Sequence, residues 1–151
     1  MPKQEAIERA RRDEREGKSP GTQAGEFVKE VIDDIRAGKH GARSTKQAIA
    51  IGLSEARRAG VKVPPPKKGQ VSEETRRKAQ LDARKGQQGG PQKPSPKRSR
   101  AVRAALKREG TAAASPQALS RQARSAAARR SPAERSAAAR KAARTREKTS
   151  S

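Results

Sequence analysis

The sequence has no cysteine, and this absence removes several kinds of structure and chemistry. Without cysteine the chain can form neither a disulfide framework nor a thiolate zinc site, and it has no cysteine nucleophile; a reducing compartment is consistent with this. The beginning of the chain lacks the apolar run of a secretory signal, and no stretch approaches the roughly 18 successive apolar residues that a membrane-crossing helix requires. We therefore expect no membrane partner and a location in the cytoplasm, at the nucleoid.

Aromatic and large aliphatic side chains are scarce. The 151 residues include no tryptophan, no tyrosine and one phenylalanine, and 36% of them are charged against 30% hydrophobic. Alanine supplies much of the hydrophobic count, and it favours helix while burying little surface. Large aliphatic residues almost disappear after Val71. These features predict helices, most of which do not pack into a globule.

Charge is distributed unequally along the chain. Residues 1–38 carry 8 Lys/Arg and 9 Asp/Glu, whereas residues 39–151 carry 30 and 7, so the first segment is near neutral and the second has a net charge of +23. An excess of this size with few core residues indicates a polyanionic partner. Nucleic acid is the commonest such partner, because Lys and Arg gain affinity by displacing its condensed counterions.

Periodicity predicts two helices before the first basic turn. Residues 5–16 are typical of a charged helix with a thin apolar stripe. The next helix, capped by Thr22, has apolar residues three and four positions apart as far as Ile35, and Gly38 follows as its stop.

A third helix is predicted from Ser44, which begins a capping box with Gln47, to the residue before Gly60. Small residues at every fourth position would let another helix approach closely. They are Ala48, Gly52 and Ala56. Residues 22–59 are therefore predicted to form a helical hairpin, which is marginal alone, so either the first helix packs on it or the chain forms a homodimer. The candidate dimer faces are Phe27/Val31/Ile35 and Ile49/Leu53.

The predicted organisation is a small helical module followed by basic segments. The module covers residues 1–63, a Pro/Lys linker residues 64–71, an isolated helix residues 72–86, and a basic low-complexity tail residues 87–151. The fold class that we predict is mainly α, with an N-terminal hairpin of two to three helices and a largely disordered or loosely helical basic tail.

The tail contains an internal repeat of 16 residues. Residues 115–130 and 131–146 are identical at 8 positions. Each copy opens with Ser-Pro, in which serine can cap a helix and proline can occupy its first position, and Ser131 with Glu134 forms a capping box. The chain has four Ser-Pro pairs, which are also candidate phosphorylation sites.

Two groups of basic residues near the third predicted helix are candidate nucleic-acid-binding sites. The first lies in the turn before that helix, where glycines and free backbone N–H groups suit a phosphate, although an ordinary basic turn is the alternative. This group is Lys39, His40, Arg43 and Lys46. The second leaves the end of the helix, where cations can also simply stabilise the negative helix terminus. It is Arg57, Arg58, Lys62, Lys67 and Lys68.

The third candidate group lies in the tail, whose alternative interpretation is a solubilising disordered segment. An Ala-rich helix formed there would show arginine on several faces, as suits a polyanion. The group is Lys97, Arg98, Arg100, Arg121, Arg124, Arg129, Arg130, Arg135, Arg140, Lys141 and Arg144.

The sequence offers little for catalysis or base reading. His40 is the only histidine and has no set of metal or catalytic partners in sequence reach, and the chain has no P-loop, no dinucleotide fingerprint and no aromatic surface for stacking bases. We predict no enzyme activity, cofactor or metal, and duplex rather than single-stranded nucleic acid. No predicted helix combines Arg, Asn or Gln on one exposed face with a core behind it, so sequence-specific reading is not expected.

Two segments are distinctive: TQAGEFV at residues 22–28 and KHGARSTKQAIAIGLSEARRAGVKVPPP at residues 39–66. Together they resemble a family of small, basic, uncharacterised bacterial proteins, some of which carry the label plasmid stabilisation protein. The resemblance covers about residues 1–69 and implies a bacterial, DNA-associated role, with no catalytic residues, fold or ligand attached. Outside it, the sequence SPKR at residues 95–98 and the Ala/Arg-rich tail are similar to histone H1 tails, which lie against A·T-rich minor grooves.

Together these features predict a non-enzymatic, largely sequence-independent DNA-binding protein that is nucleoid-associated and histone H1-like. Two alternatives stay open. One is a protein-interaction module in plasmid maintenance or an antitoxin-like role, and the other is an RNA- or ribosome-associated basic protein.

Overall fold

The computed structural model describes residues 3–89 and 95–150, most of which lie in helices. The chain divides into two compact units, Met1–Ser115 and Pro116–Ser151. The first unit contains α1 (Gln4–Arg15), α2 (Pro20–Arg36), α3 (Thr45–Arg58), α4 (Glu73–Gly89) and α5 (Pro96–Lys107), and then a 3₁₀ turn over Ala112–Ala114. The second unit contains α6 (Pro116–Ala128) and α7 (Pro132–Ser150).

Serine hydroxyls cap α2, α3, α4, α5 and α7. In each case the serine Oγ accepts the backbone N–H three residues later, at 3.1–3.3 Å. The capping serines are Ser19, Ser44, Ser72, Ser95 and Ser131. The predicted caps at Ser44 and Ser131 are confirmed, whereas α2 begins after Ser19 and not at Thr22, because a Ser-Pro pair supplies both the cap and the first helical residue.

The predicted hairpin of α2 and α3 is present. The two helices come closest at Gly52, where a Cβ atom would lie 2.6 Å from the Cα of Val28, so a larger residue would force them apart. Ala48 and Ala56, the other members of the small-residue stripe, are buried. The stripe therefore sets how closely α3 lies against α2.

The core of the first unit lies between α1, α2 and α3. Phe27 is fully buried in one cluster with Ala6, Ile7 and Ala10 of α1, so α1 closes over the hairpin. Val31 and Ile35 are buried as well, so the first candidate dimer face packs within the chain and is not exposed to a second copy. Ile49 and Leu53 of the second face are half-buried, and a homodimer stays a prediction.

The helix predicted to be isolated at residues 72–86 is docked instead. α4 packs on α3, and the closest approach is at Gly86, where a Cβ atom would collide with the carbonyl oxygen of Arg57. Ser54 Oγ on α3 donates a hydrogen bond to Asp82 at 2.6 Å. A helix with one large apolar residue can dock here because a glycine and a hydrogen bond make the contact, with little need for buried apolar area.

The chain that follows α5 also belongs to the first unit. Thr45 Oγ1, buried at the start of α3, donates to the carbonyl oxygen of Ala113 at 2.7 Å. Arg36 Nε at the end of α2 donates to the carbonyl oxygen of Ala114 at 2.9 Å. The 3₁₀ turn is thus held by its own backbone carbonyls against the α2–α3 connection.

The prediction of two to three helices with a largely disordered or loosely helical tail is wrong. The described residues form seven α-helices, and α5, α6 and α7 all lie in the supposed tail. Alanine and arginine are strong helix formers, and Ser-Pro pairs start helices without help from a core. The scarcity of large apolar residues therefore limits how these helices pack and does not prevent them from forming.

The second unit buries very little. α7 has no buried residue, and α6 has one, Ala118. The capping box of α7 is reciprocal, since the N–H of Ser131 also donates to the Glu134 carboxylate at 3.2 Å. Arg135 Nη1 donates to the carbonyl oxygen of Ala127 at 3.3 Å and so links the start of α7 to the end of α6. Within the described ranges no helix is both long and apolar enough to span a membrane.

Candidate nucleic-acid interface

Ion pairs from Lys3 and Arg9 to carboxylates of α2 use two of the eight cations of the near-neutral first segment. Lys3 Nζ lies 2.5 Å from Asp34 and 3.1 Å from Glu30. The guanidinium of Arg9 pairs with Glu26 at 2.7 Å and also with Glu30. These two cations hold α1 against α2, and because they are already paired they are not available to bind a polyanion.

The same pairs shift the pKa values of their members. Hydrogen bonds to Asp34 and Glu30 raise the pKa of Lys3. Burial disfavours the charged form of Glu30, but hydrogen bonds from Arg9 and Lys3 outweigh it and hold the pKa of Glu30 below its usual value. Burial is likewise outweighed at Asp34, whose pKa is lowered by the hydrogen bond from Lys3. The pairs thus stay charged throughout the neutral range.

The turn before α3 lacks several of the free backbone N–H groups expected there for a phosphate. The N–H of Gly41 donates to the carbonyl oxygen of Leu106 at 2.9 Å, and that of Ala42 to Gly110 at 3.0 Å. The N–H of Arg43 donates to a side chain in the first turn of α3 at 2.6 Å. The end of α5, Gly110 after it and a side chain of α3 accept hydrogen bonds from these N–H groups, so an anion would meet mainly side chains at this turn.

The first predicted group of basic residues surrounds that turn. Lys39 is exposed but lies 3.4 Å from Asp34, and half-buried His40 has Nδ1 2.9 Å from the adjacent backbone carbonyl. Arg43 and Lys46 are exposed. Within this group, Arg43 and Lys46 are therefore the side chains best placed to contact a phosphate.

The second group is split between structural and exposed residues. Arg57 is buried and donates to the carbonyl oxygens of Pro64 at 3.0 Å and Val63 at 3.4 Å; burial lowers its pKa. Arg57 ties the proline segment to α3, and we remove it from the candidate interface. Half-buried Arg58 donates to a carbonyl one turn earlier. The exposed members are Lys62, Lys67 and Lys68.

α5 and its C-capping residue carry the first members of the third group and three basic residues that the sequence analysis missed. The predicted residues are Lys97, Arg98 and Arg100, and the missed ones are Arg103, Lys107 and Arg108; all six are exposed. The Ser-Pro pair at residues 95–96 was the available signal, since it starts a helix here as it does at residues 131–132.

The second unit exposes the rest of the third group. It contains ten Lys/Arg against two Asp/Glu. Every predicted site residue in this unit is exposed: Arg121, Arg124, Arg129, Arg130, Arg135, Arg140, Lys141 and Arg144. On α7, Arg140, Lys141, Arg144 and Lys148 are three or four positions apart and share one side of the helix, whereas Arg135 and Arg146 lie on the opposite side.

The chemistry that this surface offers is electrostatic. In the part of the chain that the structure describes, no group of three or more His, Asp or Glu side chains could hold a metal ion. A cleft lined by Ile7, Phe27 and Val61 has a volume of about 70 Å³, well below the several hundred Å³ of a typical small-molecule site.

Comparison with known proteins finds a family match for part of the chain. Residues 15–68 match a family of unknown function, DUF6496. No curated protein and no solved structure matches the chain. The matched residues include α2 and α3, while α4, α5 and the second unit lie outside them. The family description names no activity, ligand or partner, so plasmid stabilisation and histone likeness stay predictions.

Proposed function

We propose that this protein binds duplex DNA largely without sequence preference and without catalysing a reaction, as a nucleoid-associated, histone H1-like protein. The observation that carries the proposal is the surface of the second unit, which has a net charge of +8 and exposes the predicted arginines of α6 and α7. A surface with a high density of positive charge attracts a polyanion. The residues of this surface bury almost no core, so their side chains are accessible to such a partner.

Counterion release supplies the free energy of such binding. Each Lys or Arg that neutralises a phosphate releases condensed cations into the solvent, whatever the base sequence. α7 has 19 residues and is about 28 Å long, so its cations can contact phosphates along nearly one turn of DNA.

The composition of α7 argues against a membrane surface or a coiled-coil partner. A helix that lies in a membrane interface needs a large apolar face, and a coiled coil needs repeated large apolar residues. Apart from its first proline, the apolar residues of α7 are all alanine. α7 instead carries arginine on two opposite sides, Arg140 and Arg144 on one and Arg135 and Arg146 on the other, which suits a DNA groove with phosphates on both flanks.

Neutralising exposed arginines of the second unit tests the proposal. The full-length variant Arg121→Gln/Arg124→Gln/Arg140→Gln/Arg144→Gln should bind a DNA duplex about tenfold more weakly or worse in a gel shift at low ionic strength. The matched control changes the same four residues to lysine, which keeps the charge, and its affinity should stay within about threefold of the unchanged protein. Undiminished binding by the glutamine variant would contradict the proposal.

Nuclease treatment of the complex isolated from cells separates the alternatives. We expect DNase to release the protein and RNase to leave it bound. Release by RNase alone would favour RNA or ribosome association. A protein partner that stays bound after both treatments would favour the interaction module in plasmid maintenance or an antitoxin-like role.

A further inference from the structure

α4 presents a basic face with a repeat of seven residues. Its centre is Leu81, which is 50% exposed, with Gln88 two turns further along the same row. Two pairs of exposed cations flank this row, and the members of each pair are two turns, or about 10 Å, apart. The pairs are Arg77 with Arg84 on one side and Lys78 with Lys85 on the other.

The opposite face of α4 is fixed to the first unit. Ala79 and Gly86 are buried, and the backbone at Gly86 lies against α3. Asp82 accepts the hydrogen bond from Ser54, and Gln87 Nε2 donates to a carbonyl just after α3 at 3.0 Å. α4 therefore combines Arg and Gln on an exposed face with α3 packed against its opposite face, an arrangement that the sequence analysis did not find.

We propose that α4 lies in the major groove of duplex DNA, with Leu81 and Gln88 toward the base edges and the flanking cations toward the phosphates of the two strands. This inference rests on the proposed function and adds a defined contact to it. The major groove of B-form DNA is about 12 Å wide and admits one helix. Glutamine pairs with adenine there, and an apolar side chain contacts the thymine methyl group, so sites containing A·T pairs are preferred.

The acidic residues of α4 limit which part of the helix enters the groove. Glu73 and Glu74 lie in the first turn, where carboxylates interact favourably with the helix dipole. The same carboxylates repel phosphates. The contact is therefore made from Arg77 to Gln88, toward the C-terminal end of α4.

Other occupants fit this face less well. A single leucine among four cations provides too little apolar area for a membrane surface. Duplex RNA has a deep and narrow major groove that a helix does not enter. Charge and groove width together favour duplex DNA.

A pair of variants with equal charge change tests the contact. In the full-length chain, Arg77→Ala/Arg84→Ala should lower the affinity for a short DNA duplex about tenfold. Arg12→Ala/Arg15→Ala removes two exposed cations from α1 and should lower it less than about threefold, because only general attraction is reduced.

Replacing thymine by uracil in the duplex tests the base contact without any change of charge. Only the methyl group in the major groove is lost, and the unchanged protein should bind the uracil duplex about fourfold more weakly. Leu81→Ala should bind the two duplexes equally.

The outcomes distinguish this inference from the proposed function. Three results would overturn the placement of α4 and leave the proposed DNA binding standing. The first is an equal loss of affinity in the two double variants, and the second is equal affinity of the unchanged protein for the thymine and uracil duplexes. The third is equal affinity of the unchanged protein for duplex DNA and duplex RNA. Failure of the unchanged protein to bind any duplex would overturn the proposed function itself. If an alanine variant loses helical ellipticity, the thymine–uracil comparison decides, because it needs no substitution.

Discussion

α1 and α7 are both highly charged helices, yet only α1 has a buried face. α1 buries Ala6, Ile7, Ala10 and Asp13 in 12 residues, and its Arg9, together with Lys3 just before the helix, pairs with carboxylates of α2. α7 has 19 residues and buries none. Local propensity is enough to form both helices, whereas α1 docks because it also has a large apolar residue, Ile7, and carboxylates of α2 opposite Arg9. Charge that is matched inside the chain therefore builds structure, and exposed excess charge is available to a partner.

Phe27→Ala should have the largest effect on the stability of the first unit. Phe27 is fully buried, so its truncation leaves a cavity and should lower the free energy of unfolding by about 3–5 kcal/mol. Urea denaturation followed by circular dichroism measures this loss. Leu119→Ala in the second unit is the matched control, and because Leu119 is only partly buried, its loss should be less than half as large. If the two variants lost equal free energy of unfolding, the first unit would not be more tightly packed than the second.

Alanine at two helical glycines should change stability in opposite directions. At Gly52 the new Cβ would meet the backbone of Val28, so Gly52→Ala should destabilise by about 1–3 kcal/mol. At Gly25 nothing lies within 4 Å of a Cβ, so Gly25→Ala should stabilise by about 0.5–1 kcal/mol. Thermal unfolding of both variants measures the two shifts. Stabilisation by Gly52→Ala as well would mean that α2 and α3 do not approach each other at Gly52.

Acid should weaken the first unit through the pairs between α1 and α2. The pKa values of Glu30 and Asp34 are lowered in the folded chain, so their stabilising contribution is present above the ordinary carboxylate pKa, about 4, and is lost as pH falls through the lowered values. Glu30→Gln removes one titrating group and should flatten the fall in the free energy of unfolding below about pH 5. Parallel pH profiles for the variant and the unchanged protein would show that the pairs contribute nothing.

Ser131→Ala should have the smallest effect, and the effect should be confined to α7. The change removes the hydroxyl that accepts the Glu134 N–H at 3.1 Å, a loss of about 1 kcal/mol of helix stability. Carbon chemical shifts of residues 132–150 should move toward coil values, while the unfolding temperature of the first unit stays unchanged. Unchanged shifts in α7 would mean that the cap does not limit this helix.

The hairpin could be predicted because its signals are local or recur at a fixed spacing. The cap at Ser44 and the stripe through Gly52 need only a few neighbouring residues to be recognised. The docking of α4 and of the segment after α5 could not be predicted, because Gly86 and the backbone carbonyls of Ala113 and Ala114 make those contacts. Carbonyls are present at every residue, so a sequence pattern does not mark the ones that are used.

Exposure of the candidate interface residues could be predicted from the sequence where their side chains contact only solvent. The arginines of α6 and α7 are exposed as their surroundings suggested. Arg57 differs because its partners are the carbonyls of Val63 and Pro64, which become neighbours only when the proline segment folds back on α3. The basic face of α4 was also missed, since it depends on knowing which side of that helix is covered.

DNA binding by this chain depends on the replacement of salt ions around phosphates by Lys and Arg. The most direct measurement is the affinity of the unchanged full-length protein for a DNA duplex over about 50–200 mM salt. If the protein engages about ten phosphates, the log–log slope of affinity against salt should be near −9. A slope shallower than about −3, or no gel shift at low ionic strength, would contradict this function.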